Sequence, residues 1–132
     1  MYFENKQYAL AMSDWTKAIE LSQSEGDETG DIHIAMRWLA WGYATCPVDN
    51  LRNGEKAVKL AREASEKTNM KDANYLNTLA AAYAEIGNFK AAIEWQEKAI
   101  ELLSEEDRAE YETDFKKRLE LYKSGKPYRE EP

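Results

Sequence analysis

The pentapeptide KAIEL occurs twice in the chain, as Lys17-Ala18-Ile19-Glu20-Leu21 and as Lys98-Ala99-Ile100-Glu101-Leu102. A chain built from one unit more than once must pack each unit on the next. Whether the repetition reaches beyond five residues therefore constrains the architecture more than any other feature. It does. WLAWGYATCP (38–47) aligns with TLAAAYAEIG (78–87), sharing Leu, Ala, Tyr and Ala. EKAVKLAREAS (55–65) aligns with KAAIEWQEKAI (90–100), pairing Ala57 with Ala92, Val58 with Ile93 and Ala64 with Ala99. YALAMSDWTKAIEL (8–21) aligns with FKAAIEWQEKAIEL (89–102) at the aromatic start, at the first shared alanine and through KAIEL. Helix pairs recur, and the first pair lacks most of its leading helix.

Apolar spacing at helical period supports this organisation. Prolines stand only at 47, 127 and 132, leaving long runs of Ala, Leu, Glu and Lys free to be helical. Six helices are predicted, over about 2–22, 32–46, 54–67, 72–86, 89–103 and 105–123. Their apolar faces begin with Tyr8, Ala11, Trp15 and Ala18 in the first, then Met36, Leu39, Ala40 and Tyr43 in the second. The third carries Ala57, Leu60, Ala61 and Ala64, and the fourth Leu76, Leu79, Ala80 and Tyr83. The fifth carries Phe89, Ala92, Ile93, Ala99 and Ile100, and the sixth Tyr111, Phe115, Leu119 and Tyr122. Ser104 is the expected N-cap of the sixth, ahead of Glu105, Glu106 and Asp107. The breakers are the polar loops SQSEGDETGD (22–31) and CPVDNLRNG (46–54) and the tight Gly87-Asn88 connection. No alternating run competes for a strand, and the ending SGKPYREEP (124–132) reads as an extended tail.

The recurring frame resembles the tetratricopeptide repeat family, whose helix–turn–helix unit is about 34 residues long. The third unit carries the resemblance most fully, with Leu79, Ala80, Tyr83, Gly87, Phe89, Ala92 and Ala99. The second supplies Leu39, Ala40, Tyr43, Ala57 and Ala64, and the first Tyr8, Ala11 and Ala18, with Tyr2 a remnant of a preceding helix. The KAIEL copies lie 81 residues apart, more than two such units, and the surplus falls in the loops at 22–31 and 46–54 and near 70–73. Ser104 stands where the family usually has proline. The TCP…LRNG…AV…LA pattern is similar to a bacterial subtype found as a module of larger proteins.

The resemblance implies an all-α fold, a right-handed superhelical stack of antiparallel helix pairs with about 2.5 repeats and a C-terminal capping helix. The implied organisation is a single domain over 1–123: the second helix of repeat one at 2–22, repeat two at 32–67, repeat three at 72–103 and the cap at 105–123. Residues 124–132 form the tail. Ala40, Ala57, Ala64, Ala80, Ala92, Ala99 and Ala18 are expected at helix crossings, where short side chains let axes approach within about 8–10 Å. The polar DRAE and KKR of the sixth helix are expected to face water. The N-terminal repeat has no such cap, so a second copy or an upstream domain is expected to cover it.

In such stacks the first helix of each pair lines a concave groove. Stepping round from the core stripe by about 100° per residue selects Arg37, Trp38, Trp41 and Thr45 on the second helix. On the fourth it selects Asn74, Asn77, Thr78, Ala81 and Glu85. Trp and Arg beside small and amide residues suit a peptide-binding surface, although an aromatic stripe inside a stack is equally read as packing, for Trp38 above all. Trp15 and Trp95 fall on second helices, away from the groove. Asn74 and Thr78 stand where family members that grip the acidic tails of heat-shock chaperones carry basic residues, which argues against that ligand.

The function predicted is therefore a non-catalytic protein–protein interaction module with a peptide or partner domain in the groove. The alternative is a self-assembly unit that pairs through its uncapped first repeat. No cofactor, metal or catalytic residue is expected. His33 and Cys46 are separated by about 20 Å along one helix, and Cys46 reads as a small helix-end filler. LRNGEK has too few glycines for a phosphate loop, and the carboxylate runs GDETGD, SEEDRAEYE and REEP lack calcium-loop order. A net charge of −7 argues against nucleic acid, whose phosphates need clustered Lys and Arg. Apolar residues at 43% and charged residues at 33%, with no run near the ~20 apolar residues that span a bilayer, predict a soluble chain without a membrane partner. A lone cysteine forms no internal disulfide, so the cytoplasm is the default compartment.

Overall fold

The computed structural model describes residues 5–24 and 31–130. The expected helical start at residue 2, the Tyr2 remnant, most of the 22–31 loop and the last two tail residues lie outside them. The described residues are all-helical: α1 (Asn5–Ser24), α2 (Asp31–Thr45), α3 (Gly54–Lys67), α4 (Ala73–Glu85), α5 (Phe89–Leu102) and α6 (Glu105–Lys123), with a short 3-10 turn at Asp49–Leu51. Each helix packs on the next, and α2 also packs on α4, so α2–α3 and α4–α5 are successive antiparallel pairs with α6 laid on α5.

Short polar side chains start these helices by accepting from otherwise unpaired N–H groups of the first turn. Asn53 accepts from Lys56 N, Asp72 from Asn74 N, Asn88 from Ala91 N and Ser104 from Asp107 N, at 2.9–3.2 Å. Three helices also end alike. The residue after the C-cap turns left-handed, at Asn69 (φ 57°), Gly87 (φ 84°) and Gly125 (φ 72°). The next two N–H groups then reach back to the last turn: Asn69 to Glu66 and Met70 to Ser65, Gly87 to Ala84 and Asn88 to Tyr83, Gly125 to Tyr122 and Lys126 to Leu121. This double bond pattern closes the helix and reverses the chain. At Gly125 it sends the tail back towards the helices.

The crossing alanines Ala40, Ala57, Ala64, Ala80, Ala92 and Ala99 are all at most 1% exposed. Ala18 is the exception: it is exposed, while Tyr8, Met12 and Ile19 of α1 are buried. The two KAIEL copies thus present different residues to their neighbours, and α1 is rolled by about one residue, roughly 100°. The neighbours explain the roll. α5 is held between α4 and α6, whereas α1 packs chiefly on α2 and turns its bulkier side chains inward. In α6, Phe115, Leu119 and Tyr122 are buried as expected, whereas Tyr111, one turn nearer the start, is exposed.

The glycine-dependent helix ends can be tested at Gly87, where an added Cβ would meet nothing within 4 Å. Gly87→Ala should therefore report backbone strain alone and lower the stability measured by urea unfolding by about 1–2 kcal/mol.

Candidate binding groove

The C-terminal end of α2 is unlike the three just described. Pro47 follows Cys46 and has no N–H to fold back, so carbonyls of the last turn need donors from elsewhere. Cys46 N reaches Gly42 O at 3.0 Å and Asn53 N reaches Tyr43 O at 2.9 Å. Arg52 Nη1 donates to Cys46 O at 2.6 Å, while its Nε donates to Glu85 at 3.1 Å and its Nη2 pairs with Asp49. The LRNG segment of the loop thus supplies a bridging arginine and the N-cap asparagine of α3. Cys46, the helix-end filler, is fully buried, and burial pushes its thiol above the ordinary range.

The carbonyl of Thr45 is met by the tail. Glu130 N donates to Thr45 O at 2.8 Å. The Glu130 carboxylate accepts from Trp41 Nε1 at 2.8 Å and from the Tyr8 hydroxyl at 3.2 Å. Two residues earlier, Tyr128 packs on Trp41 with ring centroids 5.7 Å apart. Arg129 reaches outward to Glu85, at 3.2 and 3.4 Å. The non-helical segment 127–130 therefore lies along the ends of α2 and α4, one backbone and three side-chain groups engaged.

Arg118 of α6 completes the site. Its guanidinium lies 4.6 Å from the Tyr128 ring centroid and 5.2 Å from that of Trp41, within cation–π range of both. Nη1 donates to Asn77 Oδ1 at 3.3 Å. The KKR triplet does not all face water, as expected: Lys116 and Lys117 do, but Arg118 is half-buried. A polar tripeptide conceals this because a helix carries its third residue to another face.

The predicted groove residues separate into two groups. Trp38 (42% exposed), Trp41 and Thr45 line a largely apolar cavity of about 160 Å³ with Tyr8, Trp15, Gly42 and Glu130. Trp38 stacks on Trp15 with centroids 6.2 Å apart. Arg37 lies against the rings of Trp38 and Tyr75. On α4, Asn77, Thr78 and Ala81 are buried. Asn77 Oδ1 accepts from Gln96 Nε2 at 3.0 Å as well as from Arg118. Thr78 donates to the carbonyl of Asn74, which is half-buried. Glu85 is held between Arg52 and Arg129. Tyr8, Arg118, Tyr128 and Glu130 were not selected as groove residues by spacing, because they come from the second helix of the first repeat, the cap and the tail. A wider cleft of about 300 Å³ opens between α1 and α3, but its rim is solvated Lys and Glu and no described segment enters it.

Among the described residues no cluster of His, Cys, Asp or Glu could hold a metal ion, and no helix is long and apolar enough to cross a membrane. His33 lies against Tyr75, ring centroids 5.5 Å apart, at the other end of α2 from Cys46. The site offers donors, acceptors and aromatic faces, the groups of recognition. Stacked antiparallel helix pairs define a helical-repeat protein. Residues 51–105 match the family model of the tetratricopeptide repeat, which supports the resemblance to that family. Its repeats generally mediate protein–protein interaction and are typically non-catalytic. No match was found among curated proteins or among solved structures.

The buried part of the stripe yields a stability test. Asn77→Ala removes the acceptor shared by Gln96 and Arg118 and should cost about 1–3 kcal/mol in chemical denaturation.

Proposed function

We propose that the surface formed by α2, α4 and α6 is a concave groove that binds a non-helical peptide segment of a partner protein. The observation that carries this reading is the seating of residues 127–130: a backbone N–H on Thr45 O, a carboxylate on Trp41 Nε1, an aromatic ring against Trp41 and Arg118. Main-chain bonding for affinity with side-chain contacts for selection is how extended peptides are commonly recognised. Trp and Arg are the residue types that most often dominate such surfaces. No bond is made or broken in this function, and no cofactor takes part.

The test uses a random peptide library panned against the full chain carrying Tyr128→Ala and Glu130→Ala, so that the groove is unblocked. Peptides should be recovered whose binding is lost, by about tenfold or more, when Trp41→Ala is added, as truncation of a central anchor does. Recovery only of peptides indifferent to Trp41 would reject the groove as the binding surface.

A second reading, pairing between copies, is favoured by Leu10 and Leu21 of α1, which are 57% and 59% exposed. Eleven residues apart on one helix, they fall on nearly the same face. If copies pair there, light scattering of the parent chain gives a dimer mass, and Leu10→Glu with Leu21→Glu returns it to monomer. A monomer at all concentrations leaves that face without a second copy.

A further inference from the structure

We infer that the ligand class of the groove is an extended segment with an aromatic residue followed two positions later by a carboxylate, and that residues 127–130 compete with it from within the same chain. The inference rests on the peptide-binding reading above and adds to it the chemistry of the ligand and an internal regulator.

The ligand chemistry is read from what the groove presents. Trp41 Nε1 is a donor with no acceptor capacity, and with the Tyr8 hydroxyl it holds both oxygens of one carboxylate, at 2.8 and 3.2 Å. An amine there would bring only N–H groups to the Trp41 donor, and an amide could meet Trp41 Nε1 through its oxygen but without the charge that strengthens a carboxylate's bonds. The neighbouring subsite is an aromatic face with a cation beside it, Trp41 and Arg118, which favours a second ring over an aliphatic side chain. Thr45 O between them accepts one main-chain N–H, which fixes the segment's register. The intervening side chain, Arg129, is 47% exposed and its place is open to most residue types. The hold on the carboxylate is by neutral donors, so it selects by geometry and does not require a run of acidic residues.

The tail is built to leave. The charged groups it contacts keep a partner when it departs. Glu85 retains Arg52 at 3.1 Å, Arg118 retains Asn77, and Thr45 O and Trp41 border the cavity beside exposed Trp38. No paired buried charge is stranded, so exchange avoids the large cost of an orphaned ion. The short link from Gly125 keeps the tail at an effective concentration on the order of millimolar. For a tail whose own intrinsic dissociation constant is about 100 µM, that weakens the apparent binding of any ligand in the groove about tenfold.

The experiment uses a fluorescein-labelled peptide with the sequence of residues 124–132, SGKPYREEP, titrated by anisotropy into the full parent chain and into the full chain with Tyr128→Ala and Glu130→Ala. The peptide should bind the double variant about tenfold or more tighter than the parent, and a peptide carrying both alanines should not bind either. If the double variant loses its helical melt, Glu130→Gln alone keeps the shape of the tail and should show the same ordering with a smaller gain. Equal affinity for parent and variant overturns the competition. Equal binding of the doubly substituted peptide overturns the ligand class. A parent dimer that the tail substitutions dissolve would show the tail exchanged between copies and also overturn the internal competition. Library peptides that need Trp41 but lack the aromatic–x–carboxylate pattern would leave the groove reading intact and reject this one.

Discussion

Everything in this molecule is arranged about one thirteen-residue helix, α4, and about the smallness of its side chains. Ala80, Ala81, Ala82 and Ala84 are all at most 1% exposed, on successive faces of the helix. A helix of large residues could not be approached so closely on every side. α2, α3 and α5 all pack on α4 and bring the bulk it lacks, with Tyr43, Leu60, Trp95 and Ile93 against the common core. Its alanines bury little area of their own, but the close approach they permit lets the neighbouring helices bury theirs.

The same helix carries the polar groups that fix the last layer. Gln96 of α5 donates from Nε2 to Asn77 Oδ1 and to the carbonyl of Phe115 in α6, both at 3.0 Å. One buried amide thus ties three helices together. A shift of α6 by one residue would break this bonding in a region of low dielectric, where an unmade bond is costly. The register of α6 in turn puts Arg118 beside Trp41. The seat for Tyr128 is therefore set by a hydrogen bond buried well away from it.

How far the sequence reveals this depends on whether a feature is local and periodic. Helix order, the crossing alanines from Ala40 to Ala99 and the caps follow from spacing and from short polar side chains, because those forces act within a few residues. The roll of α1 was not legible: identical KAIEL pentapeptides lie at the end and in the middle of the stack, and the neighbours decide which side chain turns inward. The burial of Asn77 and Thr78 was hidden for a related reason. Spacing finds the face of α4 that looks towards the next layer, but cannot tell whether a cap and a tail cover it. Arg118 was read as a solvated charge and Glu130 as part of an extended tail, since nothing nearby in sequence marks their partners.

The groove owes its backbone acceptor to Pro47. Helices α3, α4 and α6 close their own ends with a left-handed residue and two returning N–H groups, and so offer little there for another chain. α2 cannot, and its Thr45 carbonyl waits for a donor brought by tertiary structure. A hydrogen bond to it is worth about 0.5–1.5 kcal/mol, the carboxylate bonds about 1.5–3 kcal/mol, and a cation–π contact about 0.5–2 kcal/mol. Ordering a free peptide and losing its translational freedom costs several kcal/mol or more. The surplus for a short segment is small, so a peptide in trans binds weakly, while the tethered tail, which has already lost most of that freedom, fills the groove in its absence. Exchange between the two is then governed by tethering more than by any difference in contacts, and a partner gains entry by adding contacts that the tail does not make, against Trp38 and Trp15 on the open side of the cavity.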